Sequence, residues 1–551
     1  MMVSKHAELR EPVEPVEPVE PVEPNLVEPR GTRGTPWNPH LIEVSAWPWL
    51  DRLSRDERRL VTLGDVPAAH WDRIAVQGFQ FLYLMGVWRR SAIGRALARA
   101  DRGLRADYDR VLPDWTDVDV PGSPYCIEAY EPDERMGGWA GLDATRRELG
   151  ARGVGLMLDF VPNHTAFDHA WIASHPERYV LGQEDDYRAA PADFRRIERV
   201  NGAVYVACGR DPNFPPWRDV AQLNYFNQDT RAAMQEAVRE IAGHCDGVRC
   251  DMAMLVLNDV FERTWGHLLR GGWPAPADDF WRTTTRAVRG LTYLAEVYWG
   301  LEGTMLDQGF DYAYDKRLLD SLHAPDAAAR VRDLLWRNTP VGARLARFLE
   351  NHDEPRSAAT LHHRVAGAAA LVSTLPGMRF FFDGQFEGRR IKPPVQLGRW
   401  PEEPVDPVLR AFYDRVLRFA SVDLLHEGEW KMLPALAAGD GTFSDIVAYR
   451  WRAAGELAVV AVNLGALQAQ AHLPVAEDLP PGAAFDFEDA LTDARYRRTR
   501  GALERTGLFV RLDGGQAHLF FVRSVPTLNY ENAGALERAP TRITHNLKPI
   551  T

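Results

Sequence analysis

Asp251 in GVRCD, Glu296 in LAEVYW and Asp353 in FLENHD each lie at or just beyond the end of a short apolar run, and Asp159 does the same in LMLDFVPNH. Carboxyl groups are what split acetals: one attacks the anomeric carbon while a second, about 5 Å away, protonates the leaving oxygen. A single acid at a strand end is ordinary. Several in chain order, each on a strand-like run, are what a ring of parallel strands needs to crowd carboxylates into one cleft. Arg249 stands two residues before Asp251 and by the period of two faces the same side, where its charge favours the ionised acid. Cys250 between them faces away and reads as small buried filler. Leu294, Val297, Tyr298 and Trp299 surround Glu296 and supply apolar neighbours that favour its protonated form, as a general acid requires.

The elements that must position these acids are legible as apolar β-rich runs alternating with helix-like stretches, the pattern of repeated βα units. Strands are predicted at LIEVSAW (41–47), FQFLYLMGVW (79–88), GLMLDFV (155–161), GVRCD (247–251), TYLAEVYW (292–299), FDYAYD (310–315), ARFLEN (346–351) and GMRFFFDG (377–384). That makes eight, the number that closes an α/β (β/α)8 TIM barrel. A helix is predicted over Arg231–Ala242, with Met234, Ala237, Val238 and Ile241 on one face. Residues 165–225 are too long and too rich in Gly, Pro and aromatics for an ordinary βα loop, and read as a subdomain inserted after strand 3, over the barrel mouth.

After about residue 425 the pattern changes to the alternating runs FSDIVAYRW, LAVVAVNLG and LFVRLDGGQAHLFFV, in which Asp513-Gly514-Gly515 signals a hairpin turn. The expected organisation is a Glu-Pro-Val-rich disordered segment (1–35), a catalytic barrel (36–425), a C-terminal antiparallel β-sandwich (426–524) and a tail (525–551).

The ordered set DFVPNH, GVRCDMA, AEV and ENHD resembles the four signature regions of the alpha-amylase family, glycoside hydrolase family 13, and the resemblance extends over roughly residues 36–525. It implies Asp251 as nucleophile, Glu296 as acid and then base, and Asp353 as a third carboxylate that orients the distorted sugar. It also implies that His164 and His352 hydrogen-bond the hydroxyls of the cleaved sugar and that Tyr125, in SPYCIEAYEP, stacks on its ring. Arg249 and Arg356 complete the expected substrate-binding set. Arg356 stands in NHDEPR, which resembles the NHDQPR of members that cleave short α-glucosides from an end. Gln222, Leu223 and Asn224 match the QLNY-like motif that closes the insertion in this family. Asp159 more fittingly braces a strand end.

The activity implied is a retaining α-glycoside hydrolase on α-glucans, maltooligosaccharides or short α-glucosides. A transglycosylase on the same scaffold is the alternative, since only the acceptor pocket differs. A catalytically silent glucan-binding or partner-binding relative is disfavoured, because all three acids are present.

Composition narrows the rest. Lys+Arg 65 against Asp+Glu 77 gives a net charge of -12, which offers no field for nucleic acid or anionic membrane. No run reaches the roughly 20 apolar residues of a membrane span, no secretory apolar core opens the chain, and four cysteines without CxxC spacing are expected reduced, so a cytoplasmic enzyme is the default. No phosphate-binding glycine loop is present and no cofactor is expected. Asn163 corresponds to a calcium-binding position in many amylases, but no DxNxDG-type loop supplies a full oxygen cage, which leaves calcium open and no metal ligand assigned. Linkage, chain length and oligomeric state are not legible.

Overall fold

A computed structural model describes residues 38–200, 202–269 and 272–525. The expected segment 1–35 and all but the first residue of the expected tail 525–551 lie outside the described residues. Eight parallel strands close into a barrel in chain order: β1 (His40–Ser45), β2 (Phe81–Met85), β3 (Gly155–Phe160), β4 (Gly247–Cys250), β5 (Thr292–Ala295), β6 (Tyr312–Tyr314), β7 (Leu345–Arg347) and β8 (Met378–Phe382). Every predicted strand overlaps one of them, with His40 and Leu345 falling one residue before the runs expected at 41–47 and 346–351. Their near-continuous apolar sequences follow from burial on both faces, by the barrel interior on one side and by helices on the other.

The period of two sorts each strand. Leu41, Tyr83, Met157, Leu294, Tyr314, Ala346 and Phe380 pack together inside the barrel, while Ile42, Val44, Leu82, Leu84, Leu158 and Val248 join the larger core. The predicted helix is observed as Gln228–Ala242 and buries Met234, Val238 and Ile241. Its N-cap Asn227 accepts from the Asp229 amide, and Asn and Asp are favoured there because they satisfy an otherwise orphan donor.

Between β3 and that helix, strands His164–Ala166, Leu181–Gly182, Phe194–Arg199, Gly202–Gly209 and Trp217–Gln222 form an antiparallel sheet. Gln222 locks it to the barrel: its Nε2 donates to Asn163 O at 3.0 Å and to Asn163 Oδ1 at 2.9 Å. Tyr225 Oη donates to Pro162 O at 2.7 Å.

Beyond the barrel, residues 429–524 build one six-stranded and one three-stranded antiparallel sheet around a separate apolar core. Trp451 Nε1 donates to Thr374 O at 2.8 Å and Tyr449 Oη lies 2.6 Å from Thr374 Oγ1, which ties this unit to the helix Val365–Thr374. The hairpin expected at Asp513-Gly514-Gly515 does not form as a paired hairpin. The turn is present, with Gln516 N donating to Asp513 O at 3.1 Å. Its two arms enter different sheets, Leu508–Leu512 pairing with Ala469–Leu473 and Ala517–Ser524 with Glu456–Asn463. The turn residues set a chain reversal, and side-chain burial decided where each arm paired.

Candidate active site

The chemistry-bearing residues converge at the carboxyl ends of the strands. β4 carries Arg249, 0% exposed, and delivers Asp251 just past its end. Arg249 Nη1 donates to Asp251 Oδ1 at 2.9 Å, and Nη2 lies 2.7 Å from Glu296 Oε2 in an ion-pair contact without hydrogen-bond alignment. One guanidinium thus spans both acids, so they lie no further apart than its own width and two short contacts. Tyr125 and Tyr314 flank the guanidinium, with ring centroids at 5.3 and 5.7 Å.

Glu296 follows β5. Its Oε2 also accepts the Met252 amide at 2.7 Å, and its Oε1 accepts Tyr298 Oη at 2.8 Å. The apolar surroundings expected for this acid are therefore not what its carboxyl meets: Leu294 packs inside the barrel and Val297 in the outer core, while donors face the carboxyl. Met252 holds a left-handed backbone (φ 41°) to aim its amide at Glu296, which costs a non-glycine residue about 1–3 kcal/mol and fits a site maintained by its surroundings.

Asp353 closes the far side, after β7. Its carboxylate keeps 45% of the side chain open to the cleft, and Oδ2 lies 2.8 Å from His352 Nε2. The ring of His352 is buried, its Nε2 lies 2.7 Å from Tyr125 Oη, and its Nδ1 pairs with Glu43 of β1. Burial works against a charged His352, but Asp353 and Glu43 outweigh it and hold the imidazolium well above its ordinary range. Burial likewise opposes ionisation of Asp353, yet the imidazolium beside it keeps the acid well below the usual carboxylate range. At Asp251, burial and then the charge of Glu296 push the carboxyl up, against the pull of Arg249.

Of the five residues expected to bind substrate, Tyr125 and His164 line the open cleft. His164 is buried against Trp217, ring centroids 5.4 Å apart, and burial pushes it down to about 4, so it is neutral. Arg249 and His352 sit behind the carboxylates and hold them. Arg356 is a correction: 1% exposed, it donates to Glu350 Oε1 at 2.9 Å and Asp383 O at 2.8 Å and lies 4.3 Å from the Phe382 ring. It does not line the cleft, because a buried guanidinium needs fixed acceptors and Glu350 lies within the fold to pair with it. Asp159 accepts from Tyr83 Oη and from the Gly86 amide at 2.7 Å, the brace expected of it. Gly86 is required there: at φ 80° a Cβ would meet Pro124 at 2.9 Å.

Sequence reasoning missed Glu43, Tyr298 as a donor, and the insertion's contribution to the cleft. Glu43 was detectable as an acid inside the apolar run LIEVS, two positions from the inward-facing Leu41. The cleft has a volume of about 810 Å³; Asp211, Phe214, Trp217 and Asp219 of the insertion wall it together with Asp353, Glu354, Lys316 and Arg317.

Calcium does not fit at Asn163. Its Oδ1 and backbone oxygen, with Leu223 O at 3.1 Å, already converge on the Gln222 amide nitrogen, whereas calcium needs six or more free oxygens. Among the described residues no group of three or more His, Cys, Asp or Glu side chains gathers to hold a metal, and no helix is long and apolar enough to cross a membrane.

No family model matches the chain. Alpha-amylase MalA of Haloarcula japonica is 25% identical over 357 residues, 62% of this chain and 47% of its own length, so the chain spans about half of that relative. Among solved structures, the maltogenic alpha-amylase AmyB of Thermotoga neapolitana aligns with a TM-score of 0.61 at 17% identity, over 88% of this chain and 98% of its own. The alpha-amylase of Geobacillus thermoleovorans complexed with acarbose gives 0.63 at 18% identity, over 89% and 99%. The acarbose-soaked Nostoc punctiforme debranching enzyme gives 0.58 at 14% identity, over 88% and 99%. At these identities the likeness is one of fold.

Proposed function

We propose that this chain, a member of the alpha-amylase family, is a retaining α-glycoside hydrolase acting on α-glucans or maltooligosaccharides. The observation that carries this is the Arg249 guanidinium bound to Asp251 on one side and Glu296 on the other, at the floor of a cleft that Asp353 completes. Two acids so held suit double displacement, which needs the shorter of the two carboxylate spacings. Asp251 Oδ1 is engaged by Arg249, which leaves Oδ2 to attack the anomeric carbon. Glu296 Oε1, facing only Tyr298 Oη, is the oxygen that carries the proton to the departing glycosidic oxygen.

Once Asp251 is esterified its charge is gone, and Glu296, ionised beside Arg249, takes a proton from water. That water attacks the anomeric carbon, the ester C–O bond breaks, and the electron pair returns to Asp251. Asp353, kept ionised by His352, faces the positive charge that develops on the sugar. Acarbose bound to the Geobacillus thermoleovorans enzyme supports an oligosaccharide substrate. The four cysteines are buried and free, which supports a reducing compartment such as the cytoplasm.

The test is Asp251→Asn together with product stereochemistry. The amide preserves shape but cannot form the ester, so turnover falls by orders of magnitude with the fold intact. Proton NMR of the wild-type reaction should detect the α-anomer before mutarotation. More than about a tenth of wild-type rate in the variant, or β-anomer first, overturns the assignment.

A further inference from the structure

The two oxygens of Glu296 are held differently. Oε2 accepts the Met252 amide at 2.7 Å and lies 2.7 Å from Arg249 Nη2. Oε1 accepts from Tyr298 Oη alone, at 2.8 Å, and among the described residues this is the one hydrogen bond that the hydroxyl makes.

The pairing is built into the backbone. Val297, between the two residues, is 0% exposed in the outer core, and Glu296 and Tyr298 both line the cleft, as the period of two requires when it continues past β5. Glu296 N donates to Cys250 O at 3.0 Å, Ala253 N to Glu296 O at 2.9 Å and Leu301 N to Tyr298 O at 3.2 Å, which fixes the chain on both sides of the pair. Directly after Tyr298 the backbone turns left-handed at Trp299 (φ 64°) and Gly300 (φ 75°), a conformation that side-chain-bearing residues rarely adopt. Strain of this kind persists only where the surroundings hold it. Burial, and then the charge of Glu296, keep the phenol well above its ordinary range, so it stays a donor.

What the donor does depends on the state of Glu296, and this step rests on the glycosidase reading. In the first step Glu296 passes the proton on Oε1 to the glycosidic oxygen, the bond from that oxygen to the anomeric carbon breaks, and Asp251 Oδ2 bonds to the carbon. Tyr298 keeps its own proton throughout. Before the transfer it donates to a neutral acid, and afterwards to a carboxylate, to which hydrogen bonds are roughly twice as strong. An interaction that gains strength towards the transition state lowers the barrier. In the second step Glu296 takes a proton from water, and the same bond weakens. We propose that Tyr298 is a positioning residue that acts through Glu296, speeding departure of the leaving group and holding back the attack of water.

The test is how the rate depends on the leaving group. It uses aryl α-maltotriosides whose phenols are alike in shape and differ in acidity, with the wild type, Tyr298→Phe and Tyr298→3-fluorotyrosine, whose phenol is the stronger donor. A poor leaving group needs the proton and a good one does not. In Tyr298→Phe, kcat/KM should fall about tenfold for the least acidic phenol and less than about twofold for the most acidic, which steepens the dependence of its logarithm on phenol acidity. In the fluorotyrosine variant the dependence should be shallower than in the wild type. A packing defect, a lost sugar contact or a partly folded sample lowers every maltotrioside by one factor and leaves the slope untouched. If Tyr298→Phe is too unstable to assay, the slope of the fluorotyrosine variant against the wild type decides. Equal slopes overturn the proposal while the glycosidase reading stands. A wild type that releases no phenol from any of them removes that reading, and this inference with it.

Discussion

Replacing Arg249 by Met removes the cation between two buried acids while keeping much of the side chain's apolar bulk. The guanidinium is fully buried and makes contacts of 2.9 and 2.7 Å to Asp251 and Glu296, and removing one partner from a buried ion pair costs about 3–5 kcal/mol. The cost depends on pH with a definite sign. Burial and Glu296 already raise Asp251, and Arg249 pulls it down, so its loss raises the acid further. An acid raised in the folded state keeps a proton that the unfolded chain has released, so its contribution is present at low pH and lost as pH rises through the raised value. Asp251 is already raised to about 8 in the native protein, so wild type and variant lose stability in parallel below that value, and the variant's extra deficit should be small at pH 7 and full at pH 10. At roughly 2 °C per kcal/mol for a large domain, that is about 6–10 °C in melting temperature at pH 10. Turnover should drop on the order of a thousandfold at neutral pH, because no cation then offsets the cost of ionising the attacking carboxyl. Thermal melts at both pH values and kcat/KM on maltohexaose read the two effects. An equal melting deficit at pH 7 and pH 10, or turnover within tenfold of wild type, would refute Arg249 as the charge that keeps the pair competent.

Glu43→Gln removes the negative charge behind His352 without changing its shape; we expect a 10- to 100-fold loss in kcat/KM, the size of about 1.5–3 kcal/mol for a hydrogen bond to a charged group. The alkaline limb of the pH–rate profile should also move to lower pH, since His352 then gives up its proton sooner, and an unmoved limb would argue for a purely structural Glu43. At the opposite end of the barrel, the rings of His40 and His426 lie tilted with centroids 5.1 Å apart beside Arg379, and burial followed by that charge lowers both, His426 to about 4. Because the unfolded chain takes up protons on these rings first, stability should fall as pH drops from about 6.5 toward 4, by roughly 3 kcal/mol for His426 alone; His426→Gln should flatten the melting-temperature profile over that window. Gln222→Leu cuts the amide's donations to Asn163 and should cost about 2–4 kcal/mol, with millimolar calcium raising the melting temperature of neither protein; a calcium-dependent rise in the wild type would reverse the reading of Asn163.

The sequence carried the barrel further than the details of its site, for a physical reason visible in individual residues. A strand buried on both faces must be apolar along its length, and the three-residue Tyr312–Tyr314 left only a weak signal within FDYAYD because two acids flank it. The acids were legible because each ends such a run and the period of two fixes which neighbours share its face, as it did for Arg249 and Asp251. What periodicity does not encode is which partner a long polar side chain will find. Arg356 reaches back to Glu350, six residues away, and Glu43 meets His352 across 309 positions. The cation and the two donors around Glu296 come from β4, from the peptide of Met252 and from Tyr298, and only the closed barrel brings them to one carboxyl. The Asp513 turn fails in the same way, since a local signal fixes the reversal but the partner of each arm is set by burial in a sheet whose other strands lie tens of residues distant. The residues whose roles changed on folding are those that support the three acids or face away from them. That distribution is expected when strand ends place the reacting groups and long-range polar contacts then hold them in register.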